Sequence, residues 1–258
     1  MEQTKEMLYE KVKDMLDRKE FEELVREERK AYGYLIDDIA AAFLVVDKLG
    51  RNFFVMKKIE EIEAFMEATV YAKIEEIGEV KKSKRGKVVN SIIADETGAC
   101  ILVLWDADAE LVAHKKLYEG CIVKVINGYV KEGYYGLEIN VGKWGAIEIK
   151  SQHAPEMKIK RWKKLNEIKK GVANIEGRIA QINPTKIFFT GNGERFVAKI
   201  VMKDESGERE IMVWDERVKE LQEISLGEKI KILNAYVKNG IIHVGGISKI
   251  LSRAHTNL

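Results

Sequence analysis

Hydrophobic spacing along the chain changes period once. Among charged residues, Met7, Leu8, Val12, Met15, Leu16, Phe21, Leu24 and Val25 recur at helical intervals, which predicts one or two helices over residues 3–31, broken near Arg18-Lys19. Gly33 punctuates the run. Asp37 and Asp38 then open an apolar helix, Ile39 to Leu49, and Gly50 follows at the place where a helix end favours glycine. From Lys57 onward the pattern is that of strands, with long β-rich runs at Val70 to Val80 and at Val172 to Asn183.

The strand-rich part is written twice. Asp95-Glu96-Thr97-Gly98 leads through Ile101-Leu102-Val103-Leu104 to Trp105-Asp106, and Asp204-Glu205-Ser206-Gly207 leads through Ile211-Met212-Val213 to Trp214-Asp215. Gly98 and Gly207, like Trp105 and Trp214, lie 109 residues apart, so the two copies match without a gap. Each copy opens with an apolar-x-x-apolar lead-in (Ile59 and Ile62; Leu165 and Ile168) and a long first strand. A loop follows, then a second strand, the acidic-Gly turn and a third strand ending in Trp. Helical segments, Ala107 to Leu117 and Glu216 to Ile224, each close on glycine, Gly120 or Gly227. A fourth strand carries Asn-x-Tyr-Val-Lys at 127–131 and 234–238, and a tight turn, Glu132-Gly133 or Asn239-Gly240, leads to a fifth.

Five strands with one helix between the third and fourth is the order of the OB-fold, a small Greek-key barrel. The expected fold class is therefore mainly β, two tandem OB-fold barrels behind a small helical N-terminal domain. Expected boundaries are 1–56 for the helices, 57–153 for the first barrel and 154–258 for the second, with 158–170 as a basic connector holding seven Lys/Arg against one Glu.

At 258 residues the chain has room for two or three small domains. Net charge is only +2, but its distribution is uneven. Residues 1–66 hold 12 Lys/Arg against 16 Asp/Glu, which leaves 32 against 26 for the duplicated part. Cys100 and Cys121 sit in apolar runs with no CxxC pair and no Cys/His cluster, so no metal and no cofactor are expected. Phosphate-binding loops, GxSxG and HExxH are lacking, and the four histidines are scattered, so the expectation is a protein that is not an enzyme. The sequence opens on a charged amphipathic stretch and holds no apolar run of membrane-spanning length, which predicts a cytoplasmic, nucleoid-associated protein with no membrane partner.

The candidate binding residues gather around the tryptophans. In an OB-fold, strands two and three with the loops joining strands 1–2 and 4–5 form the face that meets single-stranded nucleic acid. A planar aromatic there stacks a base for about 1–3 kcal/mol, whatever the base. In strand three, Leu102 and Leu104, or Ile211 and Val213, supply the core face, and Asp follows each Trp at once, which suggests a rim position for Trp105 and Trp214. The first 1–2 loop holds Lys81, Lys82, Lys84, Arg85 and Lys87, the pattern of a phosphate-tracking element. The second offers Lys186, Phe188, Phe189 and Arg195, and two adjacent aromatics cannot both face a core, so one is expected to be exposed. Tyr134 and Tyr135 follow the first 4–5 turn, where Ile241 and Ile242 stand in the second copy, and Lys131 and Lys238 close the Asn-x-Tyr-Val-Lys cores.

These residues, in this order, resemble the archaeal single-stranded DNA-binding proteins of the replication protein A family. The resemblance rests on Asp-Glu-Thr-Gly followed by Leu-Trp-Asp, on Asn127 to Lys131 and on Leu137-Glu138-Ile139; the stretch from Tyr34 to Ala41 with Leu49-Gly50 resembles the family's helical preface. It implies that Trp105 and Trp214 stack on bases, and that Tyr134 or Tyr135 supplies a second stack in the first copy only. It also implies action in DNA replication, recombination and repair. Longer relatives carry a zinc-binding insertion and further barrels that this chain lacks, which implies either a short two-barrel form or one subunit of a larger assembly. Single-stranded DNA is the expected partner, with other replication protein A-like subunits and replication or recombination proteins beside it in the second case. Two further readings stay open: a structural subunit whose barrels serve protein contacts, and a single-stranded RNA binder, because bases offer the same π-face in either nucleic acid.

Overall fold

The structure is a computed structural model that describes residues 2–51, 56–84, 86–142, 144–149, 155–191 and 193–252. It divides into two compact units, one of residues 1–131 and 138–159, the other of residues 132–137 and 160–258.

The first unit begins with three helices, α1 (Glu2–Tyr9), α2 (Arg18–Ala31) and α3 (Asp38–Lys48). The break expected near Arg18 falls just ahead of it. Turns occupy residues 10–15, and the Asp17 carboxylate then accepts the Glu20 amide while the Glu20 side chain accepts the Asp17 amide, a capping box that starts α2. Asp37 caps α3 in the same manner through the Ala40 amide. The helices do not stand apart as a unit of their own. Asp47 of α3 forms an ion pair with Lys124 at 2.5 Å, both side chains nearly buried, and the Tyr32 hydroxyl donates to the Ile147 carbonyl and accepts the Ile149 amide. An apolar α3 with seven buried residues needs a surface to cover it, and the barrel provides that surface.

That barrel is built from β1 (Glu67–Ile77), β2 (Lys81–Ser83), β3 (Gly86–Ala94), β4 (Ala99–Trp105), β5 (Ile122–Gly133), β6 (Gly136–Asn140) and β7 (Ala146–Ile149). β1 pairs with both β3 and β5, β3 with β4, and β4 runs parallel to β6, so five strands close in the order β1-β3-β4-β6-β5. This is the ring of an OB-fold. β7 adds a short antiparallel edge on β5. β4 is buried at every position until Trp105, so Ile101 and Val103 join Leu102 and Leu104 in the interior instead of standing on an exposed face. The helix α4 (Asp106–Ala113) is shorter than the expected segment to Leu117.

The second unit repeats the pairings. Its strands are β8 (Val172–Ile182), β9 (Lys186–Thr190), β10 (Gly193–Asp204), β11 (Gly207–Trp214), β12 (Lys229–Lys238), β13 (Ile241–Val244) and β14 (Lys249–Leu251). β8 pairs with β10 and β12, β10 with β11, and β11 runs parallel to β13, around a core that includes Ile175, Ile200, Met202, Ile211 and Ile232. After Trp214 the helix is a single turn, α5 (Glu216–Glu220), continued by a 3₁₀ turn over Leu221–Glu223. Asn239 and Gly240, both at positive φ (51° and 74°), make the tight turn of the β12–β13 hairpin. Part of the expected connector belongs to this barrel. Trp162 bridges to Asn174, the Asn174 amide donates to the Arg161 carbonyl, and Leu165 and Ile168 are buried.

One carboxylate organises each copy. Asp95 accepts the Thr97 and Gly98 amides and the Thr97 hydroxyl through Oδ1, while Oδ2 accepts the Ile59 amide at 2.8 Å. Asp204 repeats this with the Ser206 amide and hydroxyl and, at 2.8 Å, the Leu165 amide. The acidic-Gly turn therefore fastens the lead-in, a 3₁₀ turn at Ile59–Glu61 or Leu165–Glu167, to the end of its barrel. Burial works against the charge of Asp204, and the Ser206, Leu165 and Gly207 donors overcome it, holding the carboxyl below its ordinary value. A depressed carboxylate lends stability that is complete above the unfolded-state pKa of about 4 and is lost as pH falls through the folded value. Asp204→Asn is expected to cost about 1–2 kcal/mol at pH 7. Urea unfolding followed between pH 7 and pH 3 should show that gap constant at neutral pH and closing below about pH 4.

Candidate nucleic-acid interface

Both tryptophans end strand three opposite the start of strand two, Trp105 across from Val88 and Trp214 across from Val197. Each is half-buried, and each indole N–H is held by strand five: Trp105 Nε1 donates to Asn140 Oδ1 at 3.2 Å, and Trp214 Nε1 donates to His243 Nδ1 at 2.9 Å. Because β4 pairs with β6 and β11 with β13 in the same parallel register, Asn140 and His243 are equivalent positions. Neither was among the expected binding residues, although barrel topology would have brought strand five beside the Trp.

The aspartate after each Trp faces strand two. Asp106 Oδ1 accepts the Lys87 amide at 3.0 Å, and Asp215 Oδ1 accepts the Phe196 amide at 3.1 Å. Gly86 is required beside the first: its φ is +123°, and a Cβ there would lie 2.1 Å from Asp106 Oδ1. In the second copy Arg195 occupies that place and donates Nε to both Asp215 oxygens at 2.8 Å. Burial disfavours the Asp215 charge, and the guanidinium and the Phe196 amide more than offset it, so its carboxyl is held below the ordinary value.

The basic 1–2 loops are hairpin arms. β2 pairs with the start of β3, and Lys81, Lys82 and Lys84 are exposed on it. Lys87 is instead half-buried and ion-paired with Glu110, and Arg85 lies outside the described residues. In the second copy β9 is exposed at all five positions, so both Phe188 and Phe189 (48% and 80% exposed) point to solvent, with Lys186 beside them. One of the two is expected to be exposed; both are, because this arm is exposed along its whole length and has no inward face.

Tyr134 and Tyr135 form the turn between β5 and β6, and they group with the second unit. There the Arg195 guanidinium donates to the Tyr134 hydroxyl at 2.6 Å and lies 5.5 Å over the Trp214 ring. Trp214, His243 and Tyr236 stack with interplanar angles of 16°, and Tyr135 meets Tyr236 edge-on at 5.4 Å. Lys238 donates to the Gly133 carbonyl at 2.8 Å. The second unit thus holds a continuous aromatic column in which Arg195 and Lys238 are already engaged. In the first unit Lys131 pairs with Glu138 at 3.1 Å, and Tyr129, the counterpart of Tyr236, is exposed.

Residues 68–147 match the family described as OB-fold nucleic acid binding domain. The strands in that stretch are paired as in an OB-fold. The chain is similar to replication factor A of Methanothermobacter thermautotrophicus, 26% identical in an alignment 249 residues long that covers 87% of this chain and 31% of that protein. It therefore spans about a third of the length of the curated relative it matches. Among solved structures it resembles a replication factor A related protein from Methanobacterium thermoautotrophicum (26% identity, 37% of this chain and 90% of the other, TM-score 0.33). It also resembles a domain of replication protein A from Methanococcus maripaludis (28% identity, 37% and 94%, TM-score 0.32). No helix among the described residues is long and apolar enough to cross a membrane.

The match covers strands one to five of the first barrel, and with them Trp105, its Asn140 acceptor and the arm of Lys81 to Lys87. At the position that accepts the indole N–H, the second barrel has histidine where the first has asparagine. Burial, with the Lys238 charge in the same sense, lowers the His243 pKa, so the ring is neutral at pH 7: Nδ1 accepts from Trp214, and Nε2–H faces the Lys238 carbonyl at 3.3 Å. Protonation would turn that acceptor into a donor. The indole–imidazole hydrogen bond is thus complete above the unfolded-state pKa of about 6.5 and breaks as pH falls through the lower folded value. Tryptophan emission titrated from pH 8 to pH 4 should show an acid transition in the wild type, and His243→Asn, which keeps an acceptor that does not titrate, should abolish it.

Proposed function

We propose that the chain is a non-catalytic, sequence-tolerant binder of single-stranded DNA that acts in DNA replication, recombination and repair. The observation that carries this reading is the repeated placement of a half-exposed indole. In each barrel it ends strand three with its N–H tied to strand five, so the ring is held in one orientation before any ligand arrives. Stacking needs such a platform, and it is indifferent to base identity.

The basic arms supply the other half of the mechanism. Lys81, Lys82 and Lys84 stand exposed on the hairpin beside Trp105 and track phosphates. Lys186 does so beside Phe188 and Phe189, which offer further π-faces. Arg195, Tyr134, Tyr135 and Lys238 frame the Trp214 column, and Lys131 lies at the end of the first Asn-x-Tyr-Val-Lys core. Engagement by one barrel makes engagement by the other intramolecular, so the pair binds more tightly than either alone. Similarity to replication factor A supports the assignment to replication, with other subunits of that kind and replication or recombination proteins as partners.

Trp105→Ala and Trp214→Ala are each expected to weaken oligo-dT binding by about 5- to 150-fold, the equivalent of roughly 1–3 kcal/mol for one stacked base. Fluorescence anisotropy measures this directly, and affinities that stay within threefold of wild type for both variants would remove stacking from the mechanism. Replacing Lys81, Lys82 and Lys84 by Ser should make the slope of log affinity against log salt shallower by about 0.7 for each phosphate that is no longer neutralised. An oligo-U competitor that displaces labelled oligo-dT at equal or lower concentration would reassign the protein to single-stranded RNA.

A further inference from the structure

The two barrels carry the same outer surface on strand four, but that surface is used differently in each. In the first, Lys124 lies opposite Glu148 of the short edge strand β7, and its ammonium is held by Asp47 of α3 at 2.5 and 2.7 Å. Tyr32 seals the same edge strand through the Ile147 carbonyl and the Ile149 amide. A segment that is acidic overall, with 16 Asp/Glu against 12 Lys/Arg in residues 1–66, thus sits on a basic position of the barrel.

In the second barrel the equivalent lysine is Lys231, opposite Leu251 of the edge strand β14. It is exposed, its ammonium lies 5.6 Å over the ring of Trp162, and both Trp162 and Leu251 are themselves exposed (48% and 43%). Leu251, Lys231 and Trp162 therefore form a row of two apolar groups with a cation between them. At Trp162 the row adjoins a groove of about 630 Å³ that is also lined by Lys229, Arg178 and Lys203, while Lys231 and Leu251 stand outside it. The groove's carboxylates are committed: Glu176 pairs with Lys229, Glu205 with Lys164, Glu167 accepts the Lys164 amide, and Asp204 is bonded into its own turn. This surface is also remote from the Trp214 column. Asp204, at the groove, ends β10, and Val197, opposite Trp214, lies seven residues before it, roughly 23 Å away along an extended strand.

We propose that this surface of the second barrel docks an acidic amphipathic helix from another polypeptide, in the manner in which the first barrel receives α3. The chemistry favours a helix over a nucleic acid. Lys231 is a single cation between two exposed apolar groups, a pattern that suits an apolar helix stripe flanked by a carboxylate better than a continuous phosphate backbone, which needs a run of cations and no apolar stripe. Trp162 and Leu251 give its apolar stripe two anchors of the kind that dominate such interfaces.

The test uses the full chain and a fluorescein-labelled, 18-residue designed peptide with Leu at i, i+3, i+4 and i+7 spacing and Glu on its flanks. Anisotropy should show saturable binding that weakens at least tenfold for Lys231→Glu and for Trp162→Ala, and equally when the peptide's Glu residues are changed to Gln, while oligo-dT affinity and far-UV circular dichroism stay unchanged. Lys231→Glu changes an exposed residue and keeps the test valid should Trp162→Ala unfold the barrel. Absence of peptide binding, or binding unaffected by Lys231→Glu, would overturn the proposal. So would displacement of the peptide by oligo-dT together with loss of oligo-dT affinity in Lys231→Glu, which would make the groove a second nucleic-acid track.

Discussion

The short parallel pairing of strand three with strand five, β4 with β6 and β11 with β13, is the contact on which each barrel depends. Without it the five strands would be an open antiparallel sheet with two exposed edges. With it, the ring closes, and the residue at the end of strand three comes to lie beside a side chain of strand five. The hydrogen bond from each indole to Asn140 or His243 is a consequence of that closure. So is the orientation of the ring. The same closure surrounds Ile101, Leu102, Val103 and Leu104 with core on both sides, so that Trp105 is the first residue of β4 to reach solvent.

Duplication makes the two halves informative about each other. Positions that keep both identity and contacts are structural: Asp95 and Asp204 tie the lead-in turn to the hairpin, and Asn127 and Asn234 take positive φ (51° and 55°) within strand four. Positions that keep their place but change their chemistry mark where the copies have specialised. Gly86 and Arg195 occupy one such place, since one leaves room for a carboxylate and the other binds it. Asn140 and His243 are a second, and they make only one of the two indole hydrogen bonds sensitive to acid. Lys124 and Lys231 are a third, one sealed by the acidic helices and the other open.

The candidate interface follows the same division. In the first barrel the arm carries exposed lysines and no aromatic, and the exposed Tyr129 stands where the second barrel stacks Tyr236 on His243. In the second barrel the arm carries two exposed phenylalanines, and the tryptophan is already part of a column of aromatic rings crossed by Arg195. Two barrels of one topology thus present different mixtures of charge and π-surface, which is how a tandem array binds one kind of polymer with unequal grips.

By itself the sequence determined the strand order, the duplication, the helix break near Arg18, the helix start at Asp37, and the placing of both tryptophans at the end of strand three. Those features are local, because hydrophobic period, capping residues and turn chemistry are written within a few positions of where they act. Tertiary structure decided what depends on distant residues. It chose Asn140 and His243 as partners of the indoles, withdrew Lys87 into an ion pair with Glu110, and turned both Phe188 and Phe189 outward on an arm with no core beneath it. It also joined the helices to the first barrel through Asp47 and Lys124, 77 positions apart. Hydrogen bonds and ion pairs between residues so far separated leave no periodic trace in the chain, because their energy appears only once closure of the barrel has brought the partners together.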